Sequence, residues 1–390
     1  MSTLLRSFFT CFLLIAVASA MGPRALFSPV VPRVAMGSRS AFDTATKRAA
    51  MDKSSSTVGS GKKAYKVVTD IDDTVKSSGG VKLLGIPLGG IDTQFKRGTF
   101  YPGAFQFAFE LSSAVKRSIP ENVAVLTARA REFKFALALK PGDKLCSAFR
   151  AVGQRNGAGE WGIGDVYYGS VVEWIFQDRK GTRKLENFEI MLRNDQSSNR
   201  NCQYVLVGDT GEKDEEAGER IAKKFGPSRI RAVFLHTVSD AADRSQLQVP
   251  KDRALNGVPI YYFRTYVGAA NKAYRGNLLG RDALLRVVEA ARADLDAVED
   301  KEREAAAQAG PLALARQSAN SWRGGSGSGA ASTRRNELED DIAAARWSVR
   351  RSGPNPAGLL AIPRIDFFKA TAGGLLAARS YSPSPTRRQW

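Results

Sequence analysis

The segment Val67-Val68-Thr69-Asp70-Ile71-Asp72-Asp73-Thr74 places three carboxylates directly after a short β-branched run. Ligands of open α/β sheets bind beyond the carboxyl ends of the strands, where these acids fall. Alternation directs Asp70 and Asp72 to one side, a pleat apart, with Ile71 packing away. Like charges at the mouth of a sheet are costly unless a cation neutralises them, so the pattern implies a metal. An EF-hand loop is excluded: Val75 and Val81 stand where that loop needs its Gly and its Glu. A second cluster repeats the arrangement. Val205-Leu206-Val207 leads into Gly208-Asp209, and Asp214 follows five residues after Asp209. Carboxylates ending two parallel strands can converge on one Mg²⁺, which takes octahedral oxygen ligands. Between the clusters, Val125-Leu126-Thr127-Ala128-Arg129 ends a strand in a hydroxyl, and Gly181-Thr182-Arg183-Lys184-Leu185 opens the helix before the Asp209 strand. The bland alternative, solvated turn residues, would have to hold at both strand ends.

The elements that must position these residues are legible as short apolar runs. Lys66–Thr69, Val123–Leu126, Tyr204–Val207, Ile230–Leu235 and Ile260–Phe263 alternate with helix-length segments. Near-continuous apolar strands spaced by helices indicate a parallel sheet covered on both faces. A closing helix is marked by Leu284, Val288, Ala291, Leu295 and Val298 at intervals of four and three. Together these define an α/β domain over 64–300. Beyond it, Gly324-Gly325-Ser326-Gly327-Ser328-Gly329 has linker composition, and prolines punctuate the rest. Residues 301–390 therefore read as a mostly disordered basic tail, with one short helix near Glu337–Arg350.

The N-terminus reads differently. Arg6, the apolar run Phe8–Val17 and Ala18-Ser19-Ala20 give residues 1–20 the plan of a signal peptide. The run is too short for a comfortable membrane span. Residues 21–63 are acid-poor and rich in Arg, Ser and Ala, as organelle transit segments are. The pair resembles the two-part leader of secondary plastids; secretion, or residence in a lumen, with a disordered spacer is the other reading.

Of the 390 residues, 43% are hydrophobic and 25% charged, enough for a large core and unlike a fibrous or wholly disordered chain. Net charge is +19, but 1–63 holds 9 Lys and Arg against 2 acids and 301–390 holds 14 against 7, which leaves 64–300 at +5. The basic total therefore belongs mostly to the flanks. No aromatic-interleaved basic platform appears in the core, so no nucleic-acid partner is expected. Three cysteines, Cys11, Cys146 and Cys202, make no disulfide framework. The single histidine, His236, excludes a multi-histidine metal site and reads as structural, as does Asp73.

The four chemical pieces, in this order, resemble the haloacid dehalogenase superfamily of phosphohydrolases. Its pattern is D-x-D-x-T, a strand-end Ser or Thr, a helix-borne Lys and an acidic motif such as G-D-x-x-x-x-D. A narrower likeness is to the catalytic domain of the actin-patch-associated phosphatidate phosphatases. It rests on Asp70-Ile-Asp-Asp-Thr-Val-Lys76, Tyr101-Pro102-Gly103, Gly208-Asp-Thr-Gly-Glu-Lys-Asp-Glu-Glu216 and the stretch Gly257–Leu279, and covers about 64–280. Leu126-Thr127-Ala128-Arg129 departs from the Ser-Asn-Ser-type second motif of many members.

The resemblance implies a haloacid dehalogenase-like (Rossmannoid) fold. The gaps of about fifty residues either side of Thr127 leave room for only a small or minimal cap. It also implies roles. Asp70 is the nucleophile that forms an aspartyl-phosphate, and Asp72 the general acid and then base. Mg²⁺ is held by the Asp70 side chain, the Asp72 backbone carbonyl, Asp209 and Asp214. Thr127 contacts a phosphoryl oxygen, and Lys184 balances charge, with Lys180 as an alternative. Arg129 is either a phosphate contact or a surface residue, and Glu212 an outer ligand or a helix N-terminal acid. The implied substrate is phosphatidate, giving diacylglycerol, or another lipid phosphate at a membrane surface. A soluble phosphomonoester, or a catalytically idle phospholipid-binding module, are the competing readings. The insert Val81–Leu88, followed by Lys96-Arg97, is either a packed flap or a segment that dips into an anionic bilayer.

Overall fold

The computed structural model describes residues 63–80, 82–83, 86–87, 90–115, 120–130, 139–140, 142–169, 180–197, 202–211, 213–239, 248–308 and 328–351. The leader readings thus lie outside the described residues apart from Lys63, as do Glu212, the Lys180 side chain and the side chains of the 81–88 insert.

The strands are β1 (Ala64–Thr69), β2 (Lys82–Leu83), β3 (Ile86–Pro87), β4 (Val123–Ala130), β5 (Ile163–Gly169), β6 (Cys202–Asp209), β7 (Ile230–His236), β8 (Arg253–Leu255) and β9 (Val258–Phe263). Seven of them form one sheet in the order β5-β4-β1-β6-β7-β9-β8, and β2 and β3 pair as a separate two-stranded sheet. All neighbours in the large sheet run parallel except the edge pair β8 and β9. That pair closes through Asn256-Gly257, whose φ angles of 49° and 77° suit the two-residue turn that favours Asn-Gly. The helices are α1 (Ala104–Ser112), α2 (Lys144–Arg155), α3 (Lys180–Ser197), α4 (Asp214–Arg229), α5 (Tyr266–Arg275), α6 (Arg281–Gln308) and α7 (Ser328–Arg351).

All five apolar runs picked from the sequence are strands. Successive residues on them face opposite layers, and both layers are buried. Val67, Val125, Val205 and Phe234 pack with α1, α2, α5 and α6, whereas Val68, Leu126, Leu206 and Val233 pack with α3 and α4. Full burial on both faces is why these runs carry no polar alternation. The result is an α/β sheet flanked by helices, compatible with a Rossmannoid fold. β5 had no such signal, because Ile-Gly-Asp-Val-Tyr-Tyr-Gly lies at the sheet edge, mostly half-buried or exposed.

The expected tail needs correction over 301–308 and 328–351; its other residues lie outside the described ones. α6 runs through residue 300 to Gln308, and α7 packs on the same core through Leu338, Ile342 and Ala345. The i, i+4, i+7 spacing of these three apolar residues supplies a docking stripe, which the charged residues around them obscure. The short helix expected near Glu337–Arg350 lies inside α7.

α3 is held against the sheet at its C-terminal half by a buried ion pair. The Lys66 ammonium on β1 lies 2.8 and 2.9 Å from the two Asp195 carboxylate oxygens, and the Tyr204 hydroxyl donates to the same carboxylate at 2.9 Å. Lys66 and Asp195 are both 1% exposed. Removing one partner strands the other charge in the core. Lys66→Met is expected to lower unfolding free energy by about 3–5 kcal/mol in denaturant titrations, and Lys66→Met/Asp195→Leu to recover most of it.

Candidate active site

β1 leads on through β4 to β5 on one side of the sheet, while β6, β7 and β9 follow on the other. Chain order therefore reverses between β1 and β6, and such a boundary opens a crevice at the carboxyl ends of the strands. Asp70 is the first residue beyond β1 and Asp209 the last of β6. The Asp70 amide donates to the Val207 carbonyl at 3.1 Å, continuing the β1–β6 pairing into the loop. Asp214, the first residue of α4, completes the group. Asp70, Asp209 and Asp214 are all buried, and each offers a carboxylate oxygen within 4.8 Å of the others.

Lys184, in the first turns of α3, reaches between them. Its ammonium lies 2.8 Å from Asp70 Oδ2 and pairs also with Asp214. The three carboxylates outnumber the ammonium that reaches two of them. At an effective dielectric of ~20, two like charges ~5 Å apart repel by about 3 kcal/mol, which favours a bound cation. The ligand atoms are all carboxylate oxygens, the donor set of hard divalent ions and not of soft ones. The group could therefore hold a metal ion, with Asp70, Asp209 and Asp214 as ligands.

The local sequence explains how the three acids meet. Asp214, Glu215 and Glu216 fill the first turn of α4, where the helix dipole favours them. A Cβ on Gly208 would lie 2.6 Å from Asp214 Oδ2 and 2.7 Å from its Cβ, so only glycine lets α4 come this close to β6. The Gly211 amide donates to Asp209 Oδ1 at 2.7 Å and the Thr74 hydroxyl to Asp209 Oδ2 at 3.4 Å, fixing the orientation of that carboxylate.

Asp72 turns the other way, toward β4. Arg129 grips its carboxylate with two bonds, Nε–Oδ2 at 2.9 Å and Nη2–Oδ1 at 3.1 Å, and the Lys76 ammonium lies 3.4 Å away. Burial pushes the Asp72 carboxyl up, but the attraction of Arg129 and Lys76 outweighs it and holds the group below the usual carboxylate range. Thr127, 2% exposed, accepts the Arg129 amide on Oγ1 at 3.2 Å; β4 does not end at this hydroxyl as expected but runs on to Ala130. The structure thus gathers Asp70, Lys184, Asp209 and Asp214 into one group. It sets Asp72 and Arg129 beside that group as an ion pair. Arg129, open between two readings in the sequence, belongs to the site. Of the two candidate lysines, Lys184 reaches Asp70, and the Lys180 side chain lies outside the described residues.

Asp73 is structural, as expected. Its φ of 57° reverses the chain, and its carboxylate accepts the amides of Ser78 at 2.8 Å, Ile91 at 2.5 Å and Asp92 at 2.8 Å. His236 lies behind it, with Nδ1 2.8 Å from the Asp73 carbonyl oxygen and Nε2 3.1 Å from that of Arg264. Asp92 had no sequence signal, being one acid in a polar loop. It is buried, and accepts the Tyr101 hydroxyl at 2.9 Å and the Ser77 hydroxyl at 3.4 Å.

Comparison of the chain with protein-family models, with curated proteins and with solved structures finds no match.

Burial, with the neighbouring Asp73 charge, raises the Asp92 carboxyl to about 6. A raised pKa means that the fold favours the protonated form. The stability it contributes is complete below the unfolded pKa near 3.8 and is lost as pH rises through about 6. Asp92→Asn is accordingly expected to match the parent near pH 4 and to exceed its stability by up to about 3 kcal/mol at pH 7.5. Thermal denaturation at the two pH values measures this, and equal differences at both would contradict it.

Proposed function

We propose that the chain is a Mg²⁺-dependent phosphatase working through an aspartyl-phosphate on Asp70, with phosphatidate or a related lipid phosphate as substrate. The observation that carries this reading is the juxtaposition of an acidic cation group with a cationic pair at the same strand ends. Asp70, Asp209 and Asp214 suit a divalent ion, whereas Arg129 and Lys76, beside Asp72, suit a phosphoryl group. The order and spacing of Asp70, Asp72, Thr127, Lys184, Asp209 and Asp214 support the haloacid dehalogenase-like assignment.

In this reading a carboxylate oxygen of Asp70 forms the bond to phosphorus as the bond to the leaving alkoxide breaks, and Asp72 delivers its proton to that alkoxide. Water then attacks phosphorus, Asp72 takes its proton, and the acyl-phosphate bond to Asp70 breaks. A bound Mg²⁺ would neutralise phosphoryl oxygens and the ligand carboxylates together. Lys184 holds Asp70 in place and offsets charge, and the Thr127 hydroxyl donates to a phosphoryl oxygen. Arg129 links binding to acid catalysis. Turned toward phosphate, its guanidinium releases Asp72, which then holds the proton it must give up.

A lipid substrate is favoured by the outer face of α7. Trp347 is 58% exposed, the Arg351 guanidinium lies 5.0 Å above its ring, and Arg346 and Arg350 are exposed beside it. An aromatic ring among arginines suits an anionic lipid surface. No helix among the described residues is long and apolar enough to cross a membrane.

The test is phosphate release by the purified chain. Mg²⁺-dependent release from phosphatidate, abolished by EDTA and lowered at least 10³-fold by Asp70→Asn, is expected on the magnitudes of nucleophile removal. Release from soluble esters alone would keep the chemistry and discard the lipid. No release from either, by a folded chain with Mg²⁺, would favour the idle phospholipid-binding module. Trp347→Ala should lower release from anionic vesicles several-fold while leaving soluble esters unaffected. Arg129→Ala is expected to raise KM about tenfold or more. It should also move the alkaline limb of kcat/KM to higher pH, because Asp72 loses the guanidinium that depresses its pKa. A limb that stays in place would remove Asp72 as the acid.

A further inference from the structure

We infer that Arg334 of α7 is a positioning residue for the cation group, acting through the 90–97 loop; this rests on reading Asp70, Asp209 and Asp214 as metal ligands. Most of α7 is docked by contacts that concern the helix alone. Leu338, Ile342 and Ala345 fill the core. Glu337 pairs with Arg264 at 3.3 Å, Glu339 with Arg292 at 2.5 Å, and Arg335 with Asp296 at 2.6 Å and Glu299 at 2.7 Å.

Arg334 does something different. It is 6% exposed, and its Nη2 pairs with Glu302 of α6 at 2.7 Å while Nη1 donates to the Gln94 carbonyl at 2.9 Å. Its guanidinium also lies 4.7 Å from the centre of the Phe95 ring. A planar cation is thereby fixed on both the backbone and a side chain of a loop 240 residues away in sequence.

On its other side that loop touches residues that neighbour or partner the cation group. The Ile91 and Asp92 amides donate to Asp73, next to Asp72. The Ile91 side chain packs on Gly211 so closely that a Cβ there would come within 2.7 Å of Ile91 Cγ1. The Gly211 amide in turn donates to Asp209 Oδ1 at 2.7 Å. Arg334 thus presses the loop from one side, and Ile91 sets the Gly211 amide that orients a ligand carboxylate on the other. Outer partners that orient metal ligands commonly alter metal affinity 10- to 100-fold.

The test is Mn²⁺ binding to the full chain by isothermal titration, which needs no turnover. Arg334→Ala is expected to weaken Mn²⁺ at least tenfold, and Arg334→Lys to weaken it less. Arg335→Ala removes comparable ion pairs from the same helix without touching the loop, and is expected to stay within twofold of the parent. Ile91→Ala interrupts the path at its far end and should weaken Mn²⁺ as Arg334→Ala does, which covers the case of an Arg334 variant that fails to fold. Equal effects of Arg334→Ala and Arg335→Ala, or unchanged affinity in folded Arg334→Ala and Ile91→Ala, would overturn the inference. Absence of Mn²⁺ binding by the parent would overturn it together with the metal reading. A parent that binds Mn²⁺ but releases no phosphate would leave the inference standing and remove only the phosphatase.

Discussion

Asp70, Asp209 and Asp214 meet at the boundary between β1 and β6, with the Lys184 ammonium bonded to Asp70 and Asp214, and this concentration of buried charge makes demands on everything nearby. Each buried carboxylate repels the others, so each must be held by something stiffer than its own rotamer preference. Asp70 is fixed by a sheet-like bond from its amide to Val207. Asp209 is fixed by the Gly211 amide and the Thr74 hydroxyl. Asp214 sits at a helix start that favours negative charge, reached only because residue 208 has no side chain. Lys184 can serve all this only if α3 stays in place, and Asp195 ties the far end of that helix to Lys66 on β1. Lys184 and Asp195 are eleven residues apart on α3, about three turns, and so lie on one face.

The same strand end also carries the opposite charge. Asp72 leans toward β4, where Arg129 and Lys76 more than balance it. β1 thus divides an acidic side, suited to a cation, from a basic side, suited to an anion. A phosphate ester coordinated by a divalent ion would use both sides at once, and the proposed phosphatase reading rests on that pairing.

The sequence made the strands and acids legible because both are local signals. Val205-Leu206-Val207 and Ile230–Leu235 are buried on two faces and so read as unbroken apolar runs. Asp70 and Asp209 announced themselves by standing where such runs stop, and Asp214 by following Asp209 at the spacing of an acidic motif. Lys184 was legible only as one of two basic candidates, since a helix start fixes no partner. What was not legible depends on contacts distant in sequence. The grip of Arg129 on Asp72 spans 57 residues, and the hold of Arg334 on Gln94 spans 240. β5 escaped because an edge strand has little apolar content to display. α7 looks like tail in the sequence because Leu338, Ile342 and Ala345 sit among charges whose partners, such as Arg264 and Arg292, lie on distant elements.

The claim on which the functional reading turns is that Asp70 itself receives the phosphoryl group. Peptide mass spectrometry of the chain, quenched in acid during turnover of phosphatidate with Mg²⁺, tests it most directly. One hydroxylamine-labile phosphoryl group on Asp70, formed and lost at rates that match phosphate release, is the expected result. Steady release of phosphate with Asp70 never modified, at a quench time short enough to catch the first turnover, would contradict it and leave water as the attacking group.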